Sequence, residues 1–269
     1  MDSYLSYDGR NTNTSHTMTL SGGTNWTYDE TLTLTSSTSY FASTDVGNSI
    51  HITGTDGTIV RCEITAYTSG TVVSAQPNKT VPVAMRSTAL SVWSKAVDEL
   101  SGLWHLEGET VSVFGDGFVV SSPNNASYET VTVAKGQITL SQSYAVIHVG
   151  LPITADIETL DIDTGSGETL VERNKLINTV TLYVESSRGG FVGGAPPSDD
   201  TTDPLEGLTE FKMRNNEGYD ESINLRTGKH DVIIESRWNS NGRVFIRQVD
   251  PLPLKILSIA PAGAIPFRR

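Results

Sequence analysis

Apolar and polar residues alternate along much of this chain, most clearly between Ser101 and Val120. The run Thr110–Phe114 reads TVSVF, and the alternation resumes at Phe118 after the pair Asp116-Gly117. Apolar side chains at every second position place one face of a strand in a core. An acidic-Gly pair between two such runs is typical of a tight hairpin. The core residues predicted for this stretch are Trp104, Val111, Val113 and Phe118.

Before this hairpin, short alternating runs are separated by Gly and Asp turns. They predict a small β-barrel or sandwich module at residues 17–91. Its predicted strands cover 17–20, 31–35, 49–53, 58–64 and 71–74. Residues 1–16 are polar and predict an N-terminal linker or edge strand. The segment Val92–Leu100 has apolar residues at roughly helical spacing, so it predicts either a short helix or an ordered connector.

A larger β module is predicted at residues 92–269. Its apolar runs lie at 131–133, 138–140, 144–149, 176–184, 232–234, 244–246 and 254–259. Pro251 and Pro253 flank the last run, which fits an edge strand. Residues 186–207 are rich in Gly, Pro and Asp, so they predict one long loop that cannot pack by itself. Speculative interface or channel residues in this loop are Arg188, Asp199, Asp200 and Asp203.

Composition supports an all-β fold of two sandwich- or barrel-like modules, joined by a short connector and containing little helix. Ser, Thr and Gly are abundant, whereas Lys and Glu are sparse, which favours strands over helices. The single cysteine, Cys62, excludes an internal disulfide and is interpreted as a buried strand residue. No apolar run is long enough to span a bilayer, and the first residues lack the features of a secretion signal.

Candidate catalytic patterns are few. Asp163-Thr164-Gly165 resembles the turn of aspartic proteases, but that chemistry needs two such carboxylates, so a structural turn is the preferred interpretation. Two groups of acidic residues offer the oxygen ligands that calcium prefers, but neither group has EF-hand spacing. We interpret both as solvated loops. These groups are Asp156, Asp161, Asp163 and Glu168, and Asp199, Asp200, Asp203 and Glu206. The five histidines have no zinc-like spacing, and neither a nucleophile elbow nor a phosphate loop is present. We therefore expect no enzyme, no metal and no cofactor.

Six segments resemble the C-terminal part of the tail nozzle proteins, also called tubular tail protein B, of short-tailed bacteriophages. They are residues 2–9, 102–117, 131–140, 146–152, 173–182 and 242–254. The second of them, GLWHLEGETVSVFGDG, contains the predicted hairpin. The propeller region of that family does not precede residue 1, so either the sequence begins within a longer protein or the phage encodes that region separately.

The resemblance implies a structural virion protein without catalysis. Such subunits form the nozzle ring at the distal end of the tail tube, through which the genome is ejected. A tube wall repeats one heterologous interface until it closes, which implies a homo-oligomeric ring, six-fold by resemblance. Implied partners are other tail proteins (adaptor, fibre or spike), the host surface, and genomic DNA that passes without specific binding.

The formal net charge of -12 argues against tight binding of nucleic-acid phosphates. It suits a channel wall that repels DNA, and we expect the 186–207 loop to project toward a subunit interface or the tube axis. The alternative is a module that binds or processes host-surface glycans, because paired carboxylates for glycan hydrolysis meet in space and not in sequence. Exposed tryptophans at Trp26, Trp93 or Trp104 would favour this alternative, whereas buried ones would favour the structural role.

Overall fold

The chain folds almost entirely into β structure. In this computed structural model, the described residues are 1–163, 170, 173–198, 200–211, 217–218, 222–235 and 238–264. They form twenty strands and three single turns of 3-10 helix. The all-β prediction is confirmed, and the antiparallel sheets of the described residues do not close into a barrel.

The strands follow the alternating runs of the sequence. Their bounds are β1 Asp2–Asp8, β2 Met18–Ser21, β3 Leu32–Ser36, β4 Ser49–Thr53, β5 Ile59–Ser69, β6 Val72–Pro77, β7 Ala89–Leu90, β8 Trp93–Ser101, β9 Thr110–Gly115, β10 Phe118–Ser121, β11 Val131–Thr132, β12 Gln137–Tyr144, β13 Val146–Leu151, β14 Ala155–Glu158, β15 Leu176–Ser187, β16 Phe191–Gly193, β17 Thr209–Glu210, β18 Arg226–Ile233, β19 Phe245–Gln248 and β20 Ile256–Ala264.

Two compact units share the chain. The large-sheet unit consists of Leu5–Gly108 and Thr132–His148. The small-sheet unit consists of Met1–Tyr4, Glu109–Val131 and Val149–Arg269. Both units are discontinuous in sequence, whereas the alternating pattern predicts two consecutive modules.

The large-sheet unit contains one antiparallel sheet of eight strands, in the order β12-β8-β4-β5-β6-β3-β2-β7. Alternate side chains of its strands point into one core, as the period of two predicts. The buried members are Met18, Leu20, Leu32, Leu34, Phe41, Ile50, Ile52, Val60, Cys62, Ile64, Val73, Ala75, Val81, Met85, Leu90 and Trp93. The expected burial of Cys62 is confirmed.

The segment predicted as a helix or connector, Val92–Leu100, is instead strand β8, so the helix prediction is wrong. Trp93, Ala96 and Leu100 are buried, a spacing that imitates a helical face. The strand pairs with β4 on one side and with β12 on the other, where the register shifts between Thr139 and Tyr144. Such irregular pairing breaks the period of two, and apolar spacing in a short segment then fails to separate strand from helix.

The hairpin predicted at Asp116-Gly117 is confirmed. Phe118 pairs with Gly115 across a two-residue turn, and both turn residues have positive φ, 47° for Asp116 and 87° for Gly117. A turn of this kind requires two left-handed residues, and Gly adopts that conformation without steric cost. Val111 and Val113 are fully buried as predicted, whereas Phe118 is only half-buried.

The prediction that Trp104 is a core residue is wrong. Its side chain is 69% exposed, because residues 104–106 form a 3-10 turn. A 3-10 turn places residues three apart on the same side, so Leu103 and Leu106 enter the core in its place. The Trp104 ring lies against Gly136, where an added Cβ would come within 2.5 Å of it.

The small-sheet unit contains shorter sheets. One has the order β14-β19-β16-β17, and another has β18-β15-β20. A further sheet has the order β1-β13-β9-β10, with β11 on β9. The second core joins Ile177, Val180, Leu182, Val184, Val192, Phe211, Val232, Ile234, Val244 and Ile246. Strand β20 lies at a sheet edge, as the flanking prolines predict.

The prediction of one long loop at residues 186–207 is wrong for its first part. Strand β15 extends to Ser187, and β16 occupies Phe191–Gly193. Residues 187–193 are buried, because Phe191 and Val192 supply apolar side chains and β19 pairs with this segment. Only the part from Gly194 onward connects β16 to β17 as a loop. Within the described residues, no helix has the length and apolar character needed to cross a membrane.

Candidate functional site

A cleft of about 670 Å³ lies beside the 194–207 loop in the small-sheet unit. Its volume falls within the range of about 300–1,000 Å³ that is typical of small-molecule sites. Its lining combines apolar and polar groups from separate parts of the chain. The lining residues are Ile177, Gly194, Ala195, Pro196, Pro197, Ser198, Glu206, Gly207, Glu235, Trp238, Asn239 and Arg243.

One wall is held by a turn that is anchored to the buried Lys175. The backbone N–H of Lys175 donates to the Asn239 carbonyl at 2.6 Å, and the N–H of Asn239 donates back at 3.0 Å. Lys175 is 2% exposed, and its ammonium donates to the Ser240 carbonyl at 2.5 Å. Gly242 has a φ of 63°, and a Cβ there would lie 2.6 Å from Lys175 Cδ. The turn that carries the polar wall is therefore tightly packed.

The same turn orients Asn239. Its side-chain Oδ1 accepts a hydrogen bond from the Gly242 N–H at 2.6 Å. This contact fixes the plane of the amide and uses its acceptor. The Nδ2 group of Asn239 is not used by that contact, so it is the part of the amide that can donate to a ligand.

Trp238 supplies an aromatic surface next to this amide. Its side chain is 52% exposed although it lines the cleft. An indole has a large apolar face and one N–H donor, so partial exposure suits it to contact with a ligand that is apolar on one side and polar at its edge. Scattered apolar exposure is common on proteins, but here it coincides with a concave site.

Among the described lining residues, two carboxylates and one guanidinium carry charge. Arg243 Nε donates to Asp161, and Nη1 donates to Glu158 at 3.1 Å. These two carboxylates offset the guanidinium charge and raise the pKa of Arg243. Glu206 and Glu235 are both exposed and line the same cleft. Carboxylates accept hydrogen bonds and repel anions. The arrangement can bind a small polar molecule, and it contains acceptors as well as donors.

The interface residues predicted from sequence do not gather in this cleft. Arg188 is buried at 9% exposure, and its Nη1 donates to the carbonyls of Gly117 at 2.8 Å and Ile223 at 3.1 Å. Asp200 and Asp203 are exposed in the loop, and Asp199 lies outside the described residues. Their orientation toward a channel stays a prediction.

Arg188 belongs to a buried polar network of the small-sheet unit. Both carboxylate oxygens of Asp250 accept hydrogen bonds from Asn125 Nδ2 at 3.1 Å. Burial raises the pKa of Asp250, while the hydrogen bonds and the Arg188 charge partly oppose that rise. Burial also raises the pKa of Tyr128, and the negative charge of Asp250 adds to this rise. The network joins strand ends and loops, so its structural role is sufficient to explain it.

Two acidic residues of the first group weighed as a calcium site form salt bridges instead. Asp156 forms a salt bridge with Arg247 at 2.8 Å, and Asp161 forms one with Arg243. Asp163 accepts from the Leu170 N–H at 2.8 Å, whereas Glu168 and the rest of the Asp-Thr-Gly turn lie outside the described residues. Across the described part of the chain, no three His, Cys, Asp or Glu residues gather closely enough to hold a metal ion.

Sequence reasoning missed Trp238 and Asn239 because they follow no periodic pattern. The only available signal was a Trp-Asn pair in a polar stretch without strand alternation, which is common in loops. No model of a known protein family matches this chain, and curated proteins give no significant match.

Proposed function

We propose that this chain is a structural subunit of the tail nozzle ring of a short-tailed bacteriophage and forms the distal tube for genome ejection. The single observation that carries the proposal is the set of sequence segments that resemble that family. Those segments correspond to β1, β9, β12, β13, β15 and β19, with their turns. They are thus strand-forming parts of both units, as expected where a resemblance reflects a common framework.

Exposed apolar side chains of the small-sheet unit support assembly into a ring. Ile233 on β18 is 76% exposed, and Leu257 on β20 is 60% exposed. Both strands form outer edges of the sheet β18-β15-β20. Edge strands with exposed apolar residues promote association unless they are protected. A ring would cover them in a repeated subunit contact.

The ring proposal is tested by light scattering and electron microscopy of the purified protein. We expect closed rings, six-fold by resemblance, and expect Ile233→Lys to shift the population toward monomer. Val83→Lys is the matched control, because Val83 is also 76% exposed but belongs to the large-sheet unit. A wild-type protein that stays monomeric at high concentration would contradict the proposal.

The loop from Gly194 to Gly207 provides a test of the channel. Asp199, Asp200 and Asp203 repel phosphate within a Debye length of about 8 Å if the loop faces the tube axis. Replacing the three aspartates with lysines should then slow genome ejection from particles that carry the change. Normal ejection kinetics at low salt, where the effect is strongest, would show that the loop faces elsewhere.

A glycan-binding or glycan-processing tail module is the second candidate. Of the tryptophans chosen to separate the two functions, Trp93 is buried and Trp104 is exposed. Trp26 is half-buried, with the Arg86 guanidinium 5.6 Å from its ring centroid. Taken together, these three residues do not favour either alternative. The exposed Trp238 is the observation that favours glycan binding.

A further inference from the structure

We infer that the cleft at Trp238 is a binding site for an uncharged carbohydrate. The inference goes beyond the tube-wall role and does not depend on it. It rests on three features that lie together: an exposed indole, hydrogen-bonding groups of both kinds, and the exposed carboxylate of Glu206. Each feature limits the class of ligand.

The indole favours a ligand with a flat or nearly flat apolar face. The ring C–H groups of a pyranose form such a face, while its hydroxyls point outward from the edge. Trp238 can cover that face and leave the hydroxyls accessible to the polar wall. Pro196 and Pro197 line the cleft as well, and their fixed φ angles restrict the loop that they belong to. Ordering this wall on binding therefore costs less entropy than ordering a flexible loop.

The polar wall fits hydroxyl groups because it offers acceptors and donors within one cleft. Glu206 supplies carboxylate oxygens, while the Nδ2 group of Asn239 supplies a donor that the Gly242 contact does not use. A hydroxyl both donates and accepts, so it can use both kinds of group. Hydrogen bonds to charged carboxylates are stronger than those between neutral groups.

The charge of the described lining disfavours anionic ligands. The exposed Glu206 repels sialylated, sulfated and phosphorylated ligands, and the Arg243 guanidinium is already paired with Asp161 and Glu158. A quaternary ammonium would need a cage of aromatic rings, and Trp238 is the single aromatic residue among the described lining residues. An uncharged carbohydrate is compatible with all three features.

The experiment measures binding of defined probes to the full chain by calorimetry and by saturation-transfer NMR. The neutral probes are maltotetraose, cellotetraose, mannotetraose and chitotetraose, and the charged comparators are sialyllactose and choline. We expect at least one neutral tetrasaccharide to bind in the sub-millimolar to millimolar range. Neither charged comparator should bind.

Two variants locate the site. Trp238→Ala should weaken the neutral probe at least about tenfold, and Glu206→Gln should weaken it by a smaller factor because the side-chain shape is kept. Trp104→Ala is the matched control, since Trp104 is also exposed but belongs to the large-sheet unit. Thermal melts check that all three variants fold.

The inference is supported if a neutral probe binds and only the cleft variants weaken it. It is overturned if no neutral probe binds, if Trp238→Ala binds as the wild type does, or if Trp104→Ala weakens binding equally. Preferential binding of sialyllactose or choline also overturns it. Ring formation is measured separately, so failure of this inference is distinguishable from failure of the nozzle proposal.

Discussion

The two units achieve stability in different ways. The large-sheet unit has one continuous sheet whose sixteen buried apolar side chains form a single cluster. The small-sheet unit divides its strands among shorter sheets, has a cluster of ten such residues within its described part, and buries Lys175, Arg188 and Asp250, whereas the large-sheet unit buries one charged residue of this kind, Asp45. Apolar packing is non-directional, whereas a buried charge is tolerated only when its partners are correctly placed.

This difference indicates which of the two units is expected to carry a functional site. Buried polar groups fix loop and strand-end geometry at the cost of desolvation, and such precision is useful where a binding surface is built. The candidate cleft and the exposed edge strands both belong to the unit with the polar network. We interpret the large-sheet unit, with its larger apolar cluster, as a scaffold.

The largest expected effect is the loss of stability from a substitution in the apolar core of the large-sheet unit. Trp93 is 4% exposed, its Nε1 donates to the His16 carbonyl at 2.9 Å, and its ring lies edge-on to Tyr40. Trp93→Ala should lower the free energy of unfolding by about 3–5 kcal/mol. Trp104→Ala is the control and should cost less than about 1 kcal/mol. Urea denaturation of both variants measures this, and equal losses would contradict the assignment of the core.

The next largest effect is the loss of stability from a substitution in the polar network of the small-sheet unit. Arg188→Ala leaves the carbonyls of Gly117 and Ile223 without this donor and removes a positive charge near Asp250. We expect a loss of about 2–4 kcal/mol in the free energy of unfolding. The exposed Arg10, which pairs with Asp8 at 2.6 Å, gives the control Arg10→Ala, which should unfold at the same denaturant concentration as the wild type because exposed ion pairs add little stability. Indistinguishable variants would mean that the network does not stabilise the unit.

A smaller effect concerns pH and sharpens the comparison. The raised pKa of Asp250 means that the folded state holds this proton more tightly than the unfolded state. Stability from this group is therefore present at low pH and is lost as pH rises through the folded-state pKa. Asp250→Asn removes this pH dependence. The free energy of unfolding of the variant, minus that of the wild type, should therefore become more positive as pH rises. Denaturation across an acid-to-neutral pH series measures it, and a flat difference would refute it.

The smallest effect is measured on the wild-type protein and concerns the reactivity of the Cys62 thiol in the large-sheet core. Burial raises the pKa of the Cys62 thiol to about 12, and the side chain is fully buried. Only the thiolate reacts with disulfide reagents, so the native protein should stay unlabelled at neutral pH. Labelling should appear only in denaturant, together with unfolding of this unit. Rapid labelling under native conditions would show that the core opens locally.

Local chemistry made the strands and turns predictable. The Asp116-Gly117 hairpin follows from two residues that accept positive φ, and the runs that became β3 and β4 follow from alternation of apolar side chains. These signals act over a few neighbouring residues, so no tertiary information is required.

Local chemistry also misleads where tertiary contacts decide. The apolar spacing in Val92–Leu100 suggested a helix, but pairing on both sides made it strand β8. Trp104 alternates like a core residue, yet the 3-10 turn directs Leu103 and Leu106 inward in its place.

The sequence alone determined the all-β class, the buried cysteine, the acidic charge and the positions of most strands. Tertiary structure alone decided which strands pair, that Arg188 is buried, and that the cleft exists. The cleft joins Ile177, residues 194–198 and 206–207, and Glu235, Trp238, Asn239 and Arg243, which only chain folding brings together. Period and turn propensity are properties of neighbours in sequence, whereas a concave site is a property of neighbours in space.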